Sequence, residues 1–176
     1  FAFEQAGIDP DIVCVGKGIT GGYLPLSATI VRDSIYDSFR DLPHDHTLQH
    51  GHTFCGNPIA CAAALAALDL YAGGVIDRVP TLGQRLRAGV QPLDNHPRVK
   101  DIRHLGLMTA VELIAEPPPP PGQPTRAHRI RRALLARGIL LRPLGPVLYL
   151  MPPLVTPEAE IDLLAAALVG AIERTP

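Results

Sequence analysis

The sequence has almost no net charge: 16 basic and 17 acidic side chains leave a formal charge of −1 and a pI near 6.7. Surfaces that track phosphate backbones or anionic lipids rely on clustered positive charge, so this balance argues against nucleic acid or a membrane as the main partner. Long apolar runs are missing as well. The longest, Ile59 to Leu68, stops at Asp69, well short of the roughly 20 residues a membrane helix needs. Cysteine is scarce: Cys14, Cys55 and Cys61 cannot all pair with one another and show no C-x-x-C spacing, which fits a reduced, cytoplasmic compartment. No charged-then-apolar leader and no initiating Met open the chain, and Phe1-Ala2-Phe3 reads as the interior of something longer. No internal repeat is visible. What is present, 176 residues of which 47% are hydrophobic and 19% charged, suits a soluble globular chain able to bury a core.

Strand-like and helix-like segments alternate. Asp11 to Val15 holds a short apolar run and ends in Gly16-Lys17-Gly18, which predicts a buried strand meeting a turn. Tyr23 to Val31 is a second strand-like stretch, with Pro25 arguing against a helix. Asp41 to His52 is polar, holds four histidines and reads as a loop. Asn57-Pro58 predicts an N-cap followed by proline at the first helical position. The helix it opens, Ile59 to about Tyr71, is apolar nearly all round and is therefore expected to be buried, with Gly73-Gly74 ending it. Val75 to Leu93 is helical and amphipathic, and Val99 to Leu113 is a strand pattern interrupted by Gly106. Pro117 to Pro121 is an extended, solvent-facing run. Ala127 to Arg137 predicts a basic helix closed by Gly138, Leu140 to Leu154 a strand pair, and Thr156-Pro157-Glu158 a last helix capped by the threonine. The alternation gives an α/β or α+β fold.

Three places can carry chemistry. Gly16-Lys17-Gly18-Ile19-Thr20-Gly21 matches G-x-G-x-x-G after an apolar run, but a dinucleotide turn must open a helix, and here strand-like sequence follows. Lys17 offers another account: a stem held where water is scarce favours the neutral amine, a nucleophile toward carbonyls. Spacing alone favours an ordinary surface lysine in a turn. His50-Gly51-His52-Thr53-Phe54 precedes the Asn57-Pro58 helix start, where a hydroxyl and backbone N–H groups suit a phosphate; an ordinary polar loop with a helix cap fits the pattern equally. His44, His46, His50 and His52 also have an H-x-H-x-x-x-H-x-H spacing, the basis of a metal-binding alternative. No carboxylate–cysteine set completes it, though Asp45 is nearby, and no metal ligands are assigned. Arg142, in Leu140-Leu141-Arg142-Pro143, reads as a guanidinium at an apolar strand end that needs an anion, either a ligand or a buried acid such as Glu112.

Together these segments resemble the C-terminal part of a class III, fold-type I pyridoxal-phosphate aminotransferase. Pro10-Asp11-Ile12-Val13 with Gly16-Lys17-Gly18-Ile19-Thr20-Gly21-Gly22-Tyr23 is similar to that family's cofactor-lysine segment, and His50-Gly51-His52-Thr53-Phe54 with Gly56-Asn57-Pro58 to its phosphate-contacting segment. The resemblance covers nearly the whole chain, with the proline run standing apart. It implies an α/β fold in which residues 1–74 end the large cofactor domain and residues 75–176 form the C-terminal part of the small α+β domain. It implies pyridoxal 5′-phosphate as cofactor, joined covalently to Lys17, which also shuttles the substrate proton. His52 and Thr53 would contact the phosphate of the cofactor held by the other subunit of a homodimer. Gly51 would lie against substrate and Arg142 would bind its carboxylate.

Arg142-Pro143-Leu144-Gly145 and Tyr149-Leu150-Met151-Pro152-Pro153 narrow the resemblance to members that convert 8-amino-7-oxononanoate into 7,8-diaminononanoate for biotin, most with S-adenosylmethionine as amino donor and some with lysine. Members acting on ornithine, 4-aminobutyrate or ω-amines are the alternatives. His52, where some members carry proline, leaves the donor open. The family's aspartate for the pyridine nitrogen, its phosphate-holding glycine loop and its stacking aromatic ring would all lie before Phe1. On this reading the 176 residues alone neither hold the cofactor tightly nor turn over.

Overall fold

In the computed structural model, which describes residues 1–43 and 46–176, the chain divides into two units, Phe1–Gly73 and Gly74–Pro176. The first contains α1 (Ala2–Ala6), β1 (Ile12–Val15), a 3-10 turn over Lys17–Thr20, β2 (Ala28–Val31), α2 (Asp33–Arg40) and α3 (Pro58–Ala72). β-branched residues dominate β1 and β2, which pair antiparallel with Ile12 opposite Val31 and Val15 opposite Ala28. Arg32 ties the ends of this ribbon, with Nε 2.8 Å from Asp11 Oδ1 and Nη2 2.5 Å from Asp9 Oδ2. The expected buried strand is corrected: β1 alternates exposed and half-buried residues because it pairs only with β2. The second strand is confined to Ala28–Val31, since glycines at positive φ and a turn over Thr20–Leu24 occupy the sequence before it. Helix α2 was not among the expected elements, although Ile35, Tyr36 and Phe39 recur at helical spacing.

Helix α3 starts as its sequence dictates. Asn57 Oδ1 accepts from the amides of Ile59 at 3.0 Å and Ala60 at 3.1 Å, with Pro58 at the first helical position. Its expected burial is corrected. Only the stripe Ala60, Ala64 and Ala67 is buried, at i, i+4 and i+7. Ile59, Leu65, Leu68 and Leu70 are exposed.

The second unit contains α4 (Val79–Gly89), a 3-10 turn over Gln91–Leu93, β3 (Val99–Leu105), β4 (Met108–Leu113), α5 (Arg126–Leu135), β5 (Val147–Leu150) and α6 (Glu158–Arg174). Its antiparallel sheet has the order β3-β4-β5. Gly106, at φ 56°, turns the chain between Leu105 and Met108, and a bulge interrupts β3 between Val99 and Asp101. Leu82 and Leu86 of α4, Ile130 and Leu134 of α5, and Leu168 and Ile172 of α6 are fully buried with the inner face of β4 and β5; each such side chain contributes roughly 2 kcal/mol. The helix–sheet contact is close: a Cβ on Gly83 would lie 2.2 Å from the carbonyl oxygen of Gly106.

Three local expectations are corrected here. The strand pair expected over Leu140–Leu154 is β5 alone, entered through a turn in which Leu144 bridges Val147. Helix α6 begins after Pro157, with no side-chain cap from the buried Thr156. The basic helix starts one residue early, where Thr125 Oγ1 accepts from the His128 amide at 3.4 Å. The proline run is spanned by a clamp: Glu116 Oε1 accepts from the Arg126 amide at 2.6 Å, and Glu116 Oε2 lies 3.2 Å from Arg126 Nη2. Among the described residues no helix is long and apolar enough to cross a membrane.

Candidate active site

Lys17 opens the 3-10 turn that follows β1, and its φ of 51° is the one positive value at a non-glycine among the described residues. The left-handed region costs a side-chain-bearing residue roughly 1–2 kcal/mol, and conformations of this kind persist where the surroundings over-determine them, often at functional sites. Here the surroundings are visible. The Gly21 amide donates to the Gly18 carbonyl at 3.0 Å, and Gly21 and Gly22, at φ 61° and 84°, then reverse the chain. Buried Thr20 donates its hydroxyl to the Leu24 carbonyl at 2.6 Å. From the end of α3, Tyr71 Oη donates to the Gly18 carbonyl at 2.8 Å. The expectation of a Lys17 stem shielded from water is corrected: Lys17 is exposed, because the strand leading to it is itself half open.

The loop before α3 is folded on itself. The His52 amide donates to Cys55 Sγ at 3.2 Å and the Cys55 amide returns to the His52 carbonyl at 3.0 Å. The Phe54 amide donates to His52 Nδ1 at 3.2 Å. A ring nitrogen that accepts carries no proton, so a neutral His52 presents Nε2–H as a donor. Thr53, exposed, uses neither its amide nor its hydroxyl within the described residues.

One open cleft of about 1070 Å³ brings Lys17, Gly51 and His52 together, with Cys55, Asn57 and Ala60 also in its wall. Thr53 is adjacent in sequence but not part of that wall. Among the described residues a Cβ on Gly51 would meet only Cys55 Sγ, at an ordinary 3.5 Å, so none of them demands glycine there. Sequence reasoning missed Thr20, Cys55 and Tyr71; the one signal for Tyr71 is Gly18, where a Cβ would sit 3.2 Å from the phenol oxygen.

Arg142 belongs to the second unit. It is exposed, in the segment between Leu141 and β5, and forms no ion pair among the described residues. The buried-acid partner considered for it is corrected: Glu112 is held by Lys100 at 2.6 Å and Arg103 at 2.8 Å. The glycine pattern at Gly16–Gly21 leads into a 3-10 turn of four residues and then β2, not into an α-helix whose N–H groups could meet a pyrophosphate. Of the histidine loop, His44 and Asp45 lie outside the described residues. Among the described residues no group of three or more His, Cys, Asp or Glu side chains is gathered as for a metal ion.

Comparison with known proteins decides the family, since the model of the class-III aminotransferases matches residues 1–172. The chain belongs to the class-III aminotransferases. Among members of the class, it is 44% identical to the adenosylmethionine-8-amino-7-oxononanoate aminotransferase of Nitratidesulfovibrio vulgaris, over 98% of this chain and 33% of that protein. The crystal structure of the Methanocaldococcus jannaschii enzyme of the same name superposes with a TM-score of 0.82 at 37% identity, covering 98% of this chain and 40% of that one. An amine transaminase from an uncultivated Pseudomonas species, solved in its PLP-bound form, superposes with a TM-score of 0.83 at 35% identity, over 98% and 40% of the two chains. The α/β fold expected from the sequence is thus that of the class-III transaminases. The chain spans a third to two fifths of the length of these relatives, from 33% to 40%.

Proposed function

We propose that this chain is part of a pyridoxal-phosphate aminotransferase that converts 8-amino-7-oxononanoate into 7,8-diaminononanoate, with S-adenosylmethionine as the amino donor. The observation that carries the reading is a left-handed lysine, Lys17, sharing one cleft with Gly51 and His52. The donor set fits the cofactor. A primary amine is available to an aldehyde, the His52 imidazole, whose Nδ1 accepts from the Phe54 amide, presents Nε2–H, and the amide and hydroxyl of Thr53 are uncommitted among the described residues. When bound, pyridoxal phosphate supplies an electron sink that acidifies the Cα–H of an amine attached to it.

The residues of this chain then take separate tasks. Lys17 Nζ would hold the cofactor and would serve as the base that moves the proton at the substrate Cα. His52 and Thr53 bind the phosphate of the cofactor held by the other subunit of a homodimer. Gly51 leaves room for substrate, which accounts for a glycine that no neighbour among the described residues requires. Arg142, exposed and unpaired among the described residues, binds the substrate carboxylate. Residues 1–74 end the large cofactor domain and residues 75–176 belong to the small one. Since the chain spans only a third to two fifths of its relatives' length, from 33% to 40%, the 176 residues alone are expected neither to hold pyridoxal phosphate tightly nor to turn over.

The test uses the full-length protein loaded with pyridoxal phosphate. Borohydride reduction followed by peptide mapping is expected to label Lys17, and Lys17→Ala to abolish the label. Adding S-adenosylmethionine alone is expected to convert the cofactor's absorbance to that of pyridoxamine phosphate. Conversion by lysine instead moves the donor, and conversion by ornithine, 4-aminobutyrate or an ω-amine alone moves the substrate class. No label at Lys17 in a folded, loaded sample overturns the reading.

A further inference from the structure

The turn that carries Lys17 is fastened by a side chain 53 residues further along the chain. We infer that Tyr71 is a positioning residue for Lys17, its phenol fixing the backbone turn from which the lysine projects. The inference rests on the reading of Lys17 as the amine that joins the cofactor, and three observations support it. The Gly18 carbonyl accepts twice, from the Gly21 amide at 3.0 Å within the turn and from Tyr71 Oη at 2.8 Å outside it. The hydrogen bond that opens the turn, from the Ile19 amide to the Gly16 carbonyl, is long at 3.4 Å, so a bond from outside adds to its hold. Glycine at 18 gives this bond room, since a Cβ there would lie 3.2 Å from the phenol oxygen, tighter than ordinary contact.

The origin of the phenol gives the bond its meaning. The first turn of α3, with Asn57 before it and Ala60 within it, forms part of the wall of the cleft that Lys17 shares. The last turn of the same helix supplies Tyr71. One rigid helix therefore references both the histidine loop and the lysine turn. A lysine in the left-handed region on a short turn has other conformations open to it, and the Tyr71 bond selects the one that places Lys17 on the cleft.

The test compares Tyr71→Phe with the unsubstituted full-length protein. Condensation with pyridoxal phosphate, read by borohydride trapping at Lys17, is expected to slow by about five- to tenfold, the size of one lost hydrogen bond. Binding of pyridoxamine phosphate, which has no aldehyde for Lys17 to meet, is expected to stay unchanged, as is the thermal midpoint. Amide exchange at Ile19 and Gly21 is expected to accelerate while α3 keeps its protection. Gly18→Ala is expected to be milder in the Tyr71→Phe background than alone. Unchanged condensation and exchange in Tyr71→Phe overturn the inference. Equal losses in pyridoxal and pyridoxamine phosphate binding, with exchange accelerated throughout α3, also overturn it, since Tyr71 is then only packing. If Lys17 of the unsubstituted protein is not trapped, the functional reading fails, and amide exchange still decides whether Tyr71 holds the turn.

Discussion

The amide of Phe54 donates to Nδ1 of His52 at 3.2 Å, which fixes the imidazole tautomer as well as the ring's place in the loop. The two nitrogens of His52 thereby do different work, one inside the loop and one facing out. Asparagine can imitate the first and glutamine the second. His52→Asn is expected to keep the loop and the unfolding midpoint but weaken pyridoxal phosphate binding about tenfold, the scale of one hydrogen bond to a charged group. His52→Gln is expected to bind within a few-fold of the parent and to loosen the loop, seen as faster exchange of the Phe54 amide. Equal affinities for the two variants would show that the outward nitrogen is idle.

Asn57 holds two amides at the start of α3 with one oxygen. Asn57→Ala is expected to lower stability by about 1 kcal/mol, and Asn57→Asp to retain it through its charge at the helix N-terminus. Denaturant midpoints measured on the two variants check the order.

Gly83 faces the Gly106 carbonyl with no room for a methyl group: the Cβ would sit 2.2 Å from the oxygen and 2.9 Å from the carbon. Backbone cannot swing aside as a side chain can. Gly83→Ala is expected to destabilise by about 3 kcal/mol, the upper end for overpacking. Gly122→Ala, in open space but at φ 82°, is the control for glycine loss by conformation alone and is expected to cost less. A Gly83→Ala protein that unfolds at the parent's midpoint contradicts the helix–sheet spacing.

His104 and Glu112 are two of the groups in the second unit that give stability an acid limb. Burial, then the Arg87 charge, pushes the His104 imidazole below its ordinary 6.5. Hydrogen bonds from Lys100 and Arg103 hold the Glu112 carboxyl below its ordinary 4.5. In both cases the unfolded chain takes up the proton first, so both contributions are complete above the ordinary values. The His104 contribution falls away as pH drops below 6.5 through its folded value, and the Glu112 contribution below 4.5 in the same manner. His104→Asn is expected to flatten the first step and Glu112→Gln the second, in urea midpoints recorded against pH. A first step that survives in His104→Asn assigns it elsewhere.

What was legible in the sequence was local chemistry. Asn57-Pro58 marks the start of α3 because the cap needs only the next three residues, and Gly106 marks the β3–β4 turn because it occupies a positive φ. Lys17, Gly51 and His52 were picked out by the resemblance of their segments to a family's motifs, since spacing alone favours an ordinary turn and loop, and the fold brings them to one cleft. Burial was read poorly because it depends on neighbours that composition does not name. A nearly all-apolar α3 buries only its alanine stripe, and an apolar β1 leaves Lys17 exposed. Arg142 was judged by an apolar stretch that does not become a strand. Tyr71 was invisible because nothing near it in sequence announces a partner 53 residues away.

The clamp between Glu116 and Arg126 pins both ends of the proline run to the body of the second unit, whatever lies between. With the ends fixed, changing the length of a loop alters its closure entropy only by about 0.6 kcal/mol per doubling. The stretch from Pro117 to Gly122 is thus a natural splice point, where a peptide tag or fluorophore can be carried without disturbing the clamp at its ends.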